Sequence, residues 1–169
     1  MPTRKDAIAA DYFQRYLQEA PGDDMLKSLS KNSRQFKKFL EEVPKKKIDF
    51  AYAPGKWTIK ELLQHIIDAE RVFTYRALRF ARKDATPLSG FDENSWAANA
   101  NATVRDWKTL VGEFKAVRKS TQYLYGSFSD DQLKSAGEAS GHQINVLALG
   151  FITAGHVAHH MKIIKERYL

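Results

Sequence analysis

The sequence contains no cysteine. That excludes a disulfide framework, a thiolate zinc site, an iron–sulfur cluster and a cysteine nucleophile. Long hydrophobic runs are missing as well. No segment approaches the roughly 20 apolar residues of a membrane-spanning helix, and the opening stretch MPTRKDAIAADYFQRYL lacks the apolar core of a secretory signal. The expectation is a soluble, cytoplasmic protein without a membrane partner. There is no glycine-rich phosphate loop, no Gly-x-Ser-x-Gly nucleophile elbow and no internal repeat. Histidine is scarce, with five in 169 residues. Any metal must sit on those imidazoles and on carboxylates.

What is present is ordinary globular material. Hydrophobic residues make up 43% and charged residues 28%, near the soluble average, so disorder is not expected for the bulk of the chain. The length suits one domain over 1–169 with a sizeable core. The net charge of +7 attracts anions in general terms, but acids are interleaved with bases almost everywhere. The densest basic cluster, Arg71, Arg76, Arg79, Arg82 and Lys83, falls near the end of an expected helix, where it complements the helix dipole as a solvated face. No zinc finger, helix-turn-helix or RNA-binding signature accompanies it. Nucleic acid is therefore not the expected partner.

Proline and glycine divide the chain at Pro21-Gly22, Pro54-Gly55 and Pro87 to Gly90. Between these breaks lie four segments with helical periodicity. The first covers about residues 23–43, with Leu26, Leu29, Phe36, Phe39, Leu40 and Val43 on one side. Residues 1–20 precede it as a shorter helical arm with Tyr12, Phe13, Tyr16 and Leu17 as apolar contacts. The second begins at the capping box Thr58-Ile59-Lys60-Glu61 and should reach about Arg82. Residues 84–102 form a long connection with Phe91 and Trp96 as anchors. The third runs from near Thr103 to about Tyr125. Ser129-Asp130-Asp131-Gln132 caps one short turn, 135–145 is a loop, and the fourth helix starts near Asn145. Four long amphipathic segments without alternating strands predict an all-α bundle with long connections.

Three of the five histidines crowd into Gly155-His156-Val157-Ala158-His159-His160. His156 and His160 are one turn apart on the same helix face. They interrupt an apolar stripe that reads Leu149, Ile152, His156, His160, then Ile163 or Ile164. An imidazole buried there needs hydrogen bonds or a metal to satisfy it. His65 borders the apolar face of the second helix in the row Leu62, His65, Ala69, Val72, so a bundle can set it opposite the pair. Three nitrogen ligands with open positions resemble catalytic rather than structural zinc sites. His159, three residues from His156, is an alternative to His160, and His142 in a loop reads as surface or as a support to the site. A protease of the His-Glu-x-x-His type does not fit, because Val157 stands at the glutamate position. No histidine has a glutamate three residues before it, which removes a di-iron bundle.

At this point the chain resembles the DinB-like (DinB/YfiT) superfamily. The resemblance lies in Tyr52-Ala53-Pro54-Gly55-Lys56-Trp57-Thr58-Ile59-Lys60-Glu61, in His65-Ile66-Ile67-Asp68-Ala69-Glu70-Arg71-Val72-Phe73, in Tyr75-Arg76-Ala77-Leu78, in Thr86-Pro87-Leu88 with Gly90-Phe91-Asp92-Glu93, and in Gly155-His156 through His159-His160. It covers about residues 10–169. It implies a four-helix bundle of up-up-down-down type, often a homodimer. It also implies a divalent metal, nickel or zinc, on three histidines, which carried over by position are His65, His156 and His160. Glu70, Arg71, Arg76, Phe91 and Asp92 match recurring positions of the family, and Trp57 reads as a core anchor. The function implied is a metal-dependent enzyme of hydrolase or thiol S-transferase type, acting on a small-molecule substrate such as a low-molecular-weight thiol. The other reading is a non-catalytic metal-binding or stress-response module.

Overall fold

The structure, a computed structural model, describes residues 2–169. Its helices are α1 (Gln14–Glu19), α2 (Met25–Glu42), α3 (Ile59–Ala81), α4 (Glu93–Asn99), α5 (Trp107–Gly126), α6 (Asp130–Lys134) and α7 (Val146–Arg167). A hairpin of β1 (Ala136–Ala139) and β2 (His142–Asn145) is the one sheet among the described residues. No helix among them is long and apolar enough to cross a membrane.

The helix starts follow local chemistry. At α3 the expected capping box is formed: the Glu61 N–H donates to Thr58 Oγ1 at 3.2 Å, and the Thr58 N–H donates to Glu61 Oε2 at 2.7 Å. Asp24, Asp106 and Asn145 cap α2, α5 and α7 by the one-way bond alone, each side chain accepting from the N–H three residues on. The third long helix therefore begins at Trp107 behind its Asp106 cap, not near Thr103; residues Ala102–Val104 form a separate turn. Asn145 also accepts from the Ile8 N–H and donates to the Asp6 carbonyl, which ties the N-terminal arm to the start of α7.

The four long helices form a bundle, as the sequence predicts. Two apolar clusters show their directions. One contains Met25 and Leu29 of α2, Phe73 and Phe80 of α3, Tyr125 of α5 and Leu149 of α7. The other contains Phe36 and Leu40 of α2, Ile59 and Ile66 of α3, Leu110 and Phe114 of α5 and Ile164 of α7. So α2 and α7 run one way, and α3 and α5 run the other. The order along the chain is up-down-down-up, where the resemblance implied up-up-down-down. Parallel neighbours α3 and α5 need a link that returns along the bundle, and residues 82–106 are long enough to do so. Helix α7 is buried on nearly every side from Val146 to Val157, because α1, α2 and α3 all pack on it.

Two connections depart from expectation. The segment 135–145, expected as a loop, is an antiparallel hairpin whose turn residues Ser140 and Gly141 both have positive φ. Gly137 lies so close to the Phe80 ring that a Cβ would collide with it, and Leu88 bonds to both Glu138 and Ser140 along the hairpin. The arm is an irregular strap rather than a continuous helix. Phe13, Tyr16 and Leu17 are buried as expected, but Tyr12 is 61% exposed. Phe91 is half-buried and packs against the first apolar cluster as an anchor should, but Trp96 is exposed; their ring centres lie 4.6 Å apart.

Candidate metal centre

α3 carries His65 near its start, and α7 carries His156 and His160 one turn apart. The antiparallel packing of these two helices brings the three rings together. His156 Nε2 lies 3.0 Å from His65 Nε2 and 3.0 Å from His160 Nε2. All three donor atoms fall within 4.8 Å of one another. His156 and His160 are buried and His65 is half-buried. His159 lies outside this cluster: its Nδ1 is 3.3 Å from Glu19 Oε1, and its ring meets the edge of Tyr16.

The electrostatics hold the rings neutral. Burial pushes the His65 imidazole down to about 4, partly opposed by the carboxylate of Glu93. Burial likewise sets His156 and His160 well below the ordinary histidine range, and the neighbouring histidines add to the effect. Neutral imidazoles present lone pairs, the form in which histidine ligates metals. Hydrogen bonding alone suits the arrangement poorly. One ring nitrogen offers either one proton or one lone pair, yet His156 Nε2 faces two others at once. His160 Nδ1 is buried without a protein partner, so nothing in the protein fixes its tautomer. A single cation receives three converging lone pairs without this conflict, and the all-nitrogen donor set suits zinc or nickel.

A cavity of about 400 Å³ opens onto the three histidines. The arm supplies Tyr12, Phe13, Arg15 and Tyr16 to its wall; α3 supplies Ala69, Phe73 and Arg76; the connections supply Trp57, Phe91 and Ser140; and the starts of α4 and β2 supply Glu93 and His142. Tyr16 accepts from Arg15 Nη2 at 2.8 Å, and burial raises its phenol. The approach of the arm depends on Gly155, where any Cβ would strike the Tyr16 carbonyl. Trp57 is half-buried rather than a deep anchor, and its ring centre is 4.9 Å from that of His65. His142 is exposed at the cavity wall.

Other residues singled out by the sequence take structural positions. Glu70 is buried in the bundle centre against Arg118. Arg71 bridges Asp68 and Glu113. Asp92 caps α4. Arg76, grouped above with a solvated basic face, is 3% exposed and donates to the Ser89 carbonyl at 2.9 Å and Ser140 Oγ at 3.0 Å. The sequence reading missed Arg15 and Glu93 as cavity residues. The signal for the arm was its dense aromatic run Tyr12-Phe13 and Tyr16 beside Arg15.

The chain is similar to proteins named as metal-dependent hydrolases and to solved structures of the same fold. A protein named "putative metal-dependent hydrolase" from Bacillus cereus (strain AH820) is 20% identical over 149 residues, covering 88% of this chain and 86% of its own. One of the same name from Oceanobacillus iheyensis is 23% identical over 147 residues, covering 84% of this chain and 82% of its own. Among solved structures, YfiT from Bacillus subtilis, described as "a probable metal-dependent hydrolase with an unusual four-helix bundle topology", superposes with a TM-score of 0.71 at 17% identity, over 94% of this chain and 87% of that one. The mycothiol-dependent maleylpyruvate isomerase superposes with a TM-score of 0.68 at 13% identity, over 96% of this chain but 62% of that one. The model of the DinB superfamily matches residues 28–164, and the chain belongs to that superfamily.

Proposed function

We propose that this protein is a metal-dependent enzyme, with His65, His156 and His160 holding one divalent ion, zinc or nickel. The observation that carries the reading is the coincidence of the three converging imidazoles with an open cavity. A module that only stores or senses metal needs no such cavity. When bound, the ion supplies Lewis acidity, which lowers the pKa of a coordinated water or thiol. That serves hydrolysis or thiol S-transfer. The relatives' names favour the first, and the thiol-dependent neighbour supports the second. With no cysteine in the chain, the sulfur of an S-transfer arrives with the substrate, a low-molecular-weight thiol.

The chain's own residues bind and screen the reactants. Phe73, Phe91 and Trp57 give the cavity apolar walls that exclude water, and Tyr16 with Arg15 forms the side supplied by the arm. The family resemblance extends the proposal to a cytoplasmic homodimer, and light scattering on the purified protein checks the dimer. The functional test assays chelator-stripped and zinc- or nickel-reloaded protein with an ester panel and a thiol-transfer panel. Turnover restored by metal in either panel supports the reading. Equal rates in stripped and reloaded protein in both panels contradict it.

A further inference from the structure

Arg76 occupies an unusual electrostatic position. Arg4, Arg79, Arg105 and Arg118, the other arginines withdrawn from solvent, each meet a carboxylate: Asp23, Asp84, Glu113 and Glu70. Arg76, at 3% exposure, meets none among the described residues. Its two hydrogen bonds go to neutral acceptors, the Ser89 carbonyl and the Ser140 hydroxyl, and both use Nη2. Its remaining N–H groups make no hydrogen bond among the described residues. A guanidinium buried without a counter-charge is disfavoured unless something else supplies the charge. Arg76 also lines the cavity.

Its place along α3 matters as much as its burial. Arg76 is eleven residues after His65, three turns on, so the two side chains leave the helix on the same side, with backbones about 16 Å apart. Helical side chains lean towards the N-terminus, which turns Arg76 back towards the histidines. The cavity touches both. At its rim, Arg15 likewise has no carboxylate partner among the described residues and stacks on Tyr16 with its guanidinium 4.7 Å from the ring centre. One carboxylate, Glu93, also lines the cavity and acts on His65 and Tyr16. Aromatic rings line the stretch between the ends.

We propose that Arg76 is the seat for an oxyanion of the substrate, a carboxylate or a phosphate, and that the substrate is an anionic small molecule with an apolar body whose opposite end reaches the three histidines. The assignment of the reacting end rests on the metal-dependent reading above; the anion seat does not. Bonding to Ser89 and Ser140 holds the guanidinium in place and leaves its other N–H groups to face the ligand. A charge-assisted pair of this kind, away from bulk water, is stronger than a neutral hydrogen bond.

Calorimetry with three probes that share a phenyl body tests this: hydrocinnamate, phenyl phosphate and the neutral hydrocinnamyl alcohol. Each is titrated into wild type, Arg76→Lys and Arg76→Gln after chelator treatment, so that no ion can take the anion, and into zinc-reloaded wild type for comparison. Wild type is expected to bind at least one anion about tenfold more tightly than the alcohol. Arg76→Gln is expected to lose that preference and Arg76→Lys to keep part of it. The tighter of the two anions names the group. Equal binding of anions and alcohol by wild type overturns the proposal. So does a preference retained by Arg76→Gln, or one seen only in metal-loaded protein. Because Arg76 also ties two connections together, its variants can misfold. The Arg76 Nε–H resonance of wild type is therefore followed as well: movement with the preferred anion and not with the alcohol supports the seat, and no movement overturns it. Metal uptake is read separately, on untreated protein and on stripped protein after addition of zinc or nickel. Anion binding at Arg76 in a protein that never takes up metal would leave the seat standing and sink the catalytic reading.

Discussion

Helix α3 carries two buried polar centres, and they are built on opposite principles. Around Glu70 the charges are matched. Arg118 donates through Nε to Oε1 and through Nη2 to Oε2, both at 2.8 Å, and through Nη1 to Asn32 Oδ1 at 3.0 Å. Both charged residues are at most 1% exposed. The loose end there is neutral: the Asn32 Nδ2 amide group, buried without a protein partner. Around His65 the opposite holds. Three lone pairs converge, His160 Nδ1 lacks a partner, a cavity opens, and Arg76 has no counter-charge. A centre satisfied internally holds helices in register. A centre left short of partners by the protein is where an external group belongs.

The largest expected difference comes from breaking the matched pair. Arg118→Met leaves a buried carboxylate unpaired and is expected to cost about 3–5 kcal/mol in denaturant unfolding. Changing both partners to apolar residues (Glu70→Leu with Arg118→Met) should recover most of it. A loss under about 1 kcal/mol in the single variant would mean that the pair is not closed.

The histidine centre should instead show itself through pH. In stripped protein the folded-state pKa of His65 is about 4, below the ordinary value near 6.5, and those of His156 and His160 are also depressed. Between these values the unfolded chain binds more protons than the folded one. Stability is then constant above about pH 7 and falls as the pH drops from about 6.5 towards 4, by at most about 1.4 kcal/mol per pH unit for each group. Denaturant midpoints across this range check it. A flat profile would mean that the rings are not held neutral.

Two smaller perturbations sharpen the contrast. Gly155→Ala forces the arm off α7 at Tyr16 and is expected to cost about 1–3 kcal/mol. It should loosen the cavity wall while leaving the Glu70–Arg118 pair intact, and exchange protection of the arm amides against those of α5 reads this. Thr58→Ala removes half of the capping box and is expected to cost about 1 kcal/mol with no change at either centre. A metal affinity altered by this variant would show that the helix start is coupled to the site.

Local features were legible in the sequence. Thr58 and Glu61, Ser129 and Gln132, and Asn145 announced their helix starts, because a cap depends on neighbours within three residues. His156 and His160 were legible as a pair because helical spacing puts them on one face. Arg118 was not: Val117, Arg118 and Lys119 look like an ordinary turn of helix until Glu70, 48 residues away, is placed opposite. Arg76 was misread for the same reason, since its burial depends on the Ser89 and Ser140 segments folding over it. The hairpin at 136–145 escaped notice because its two strands are four residues each, and its docking on Phe80 is a tertiary contact. The helix directions were likewise out of reach of periodicity, which reports faces but not sense.

The central claim is that the unmatched centre is a metal site. Its most direct test is metal content and calorimetric titration with zinc and nickel for wild type, His156→Ala and His142→Ala, each confirmed as folded. Wild type and His142→Ala are expected to take up one ion per chain, and His156→Ala none. No uptake by wild type, or one ion retained by His156→Ala, would contradict it.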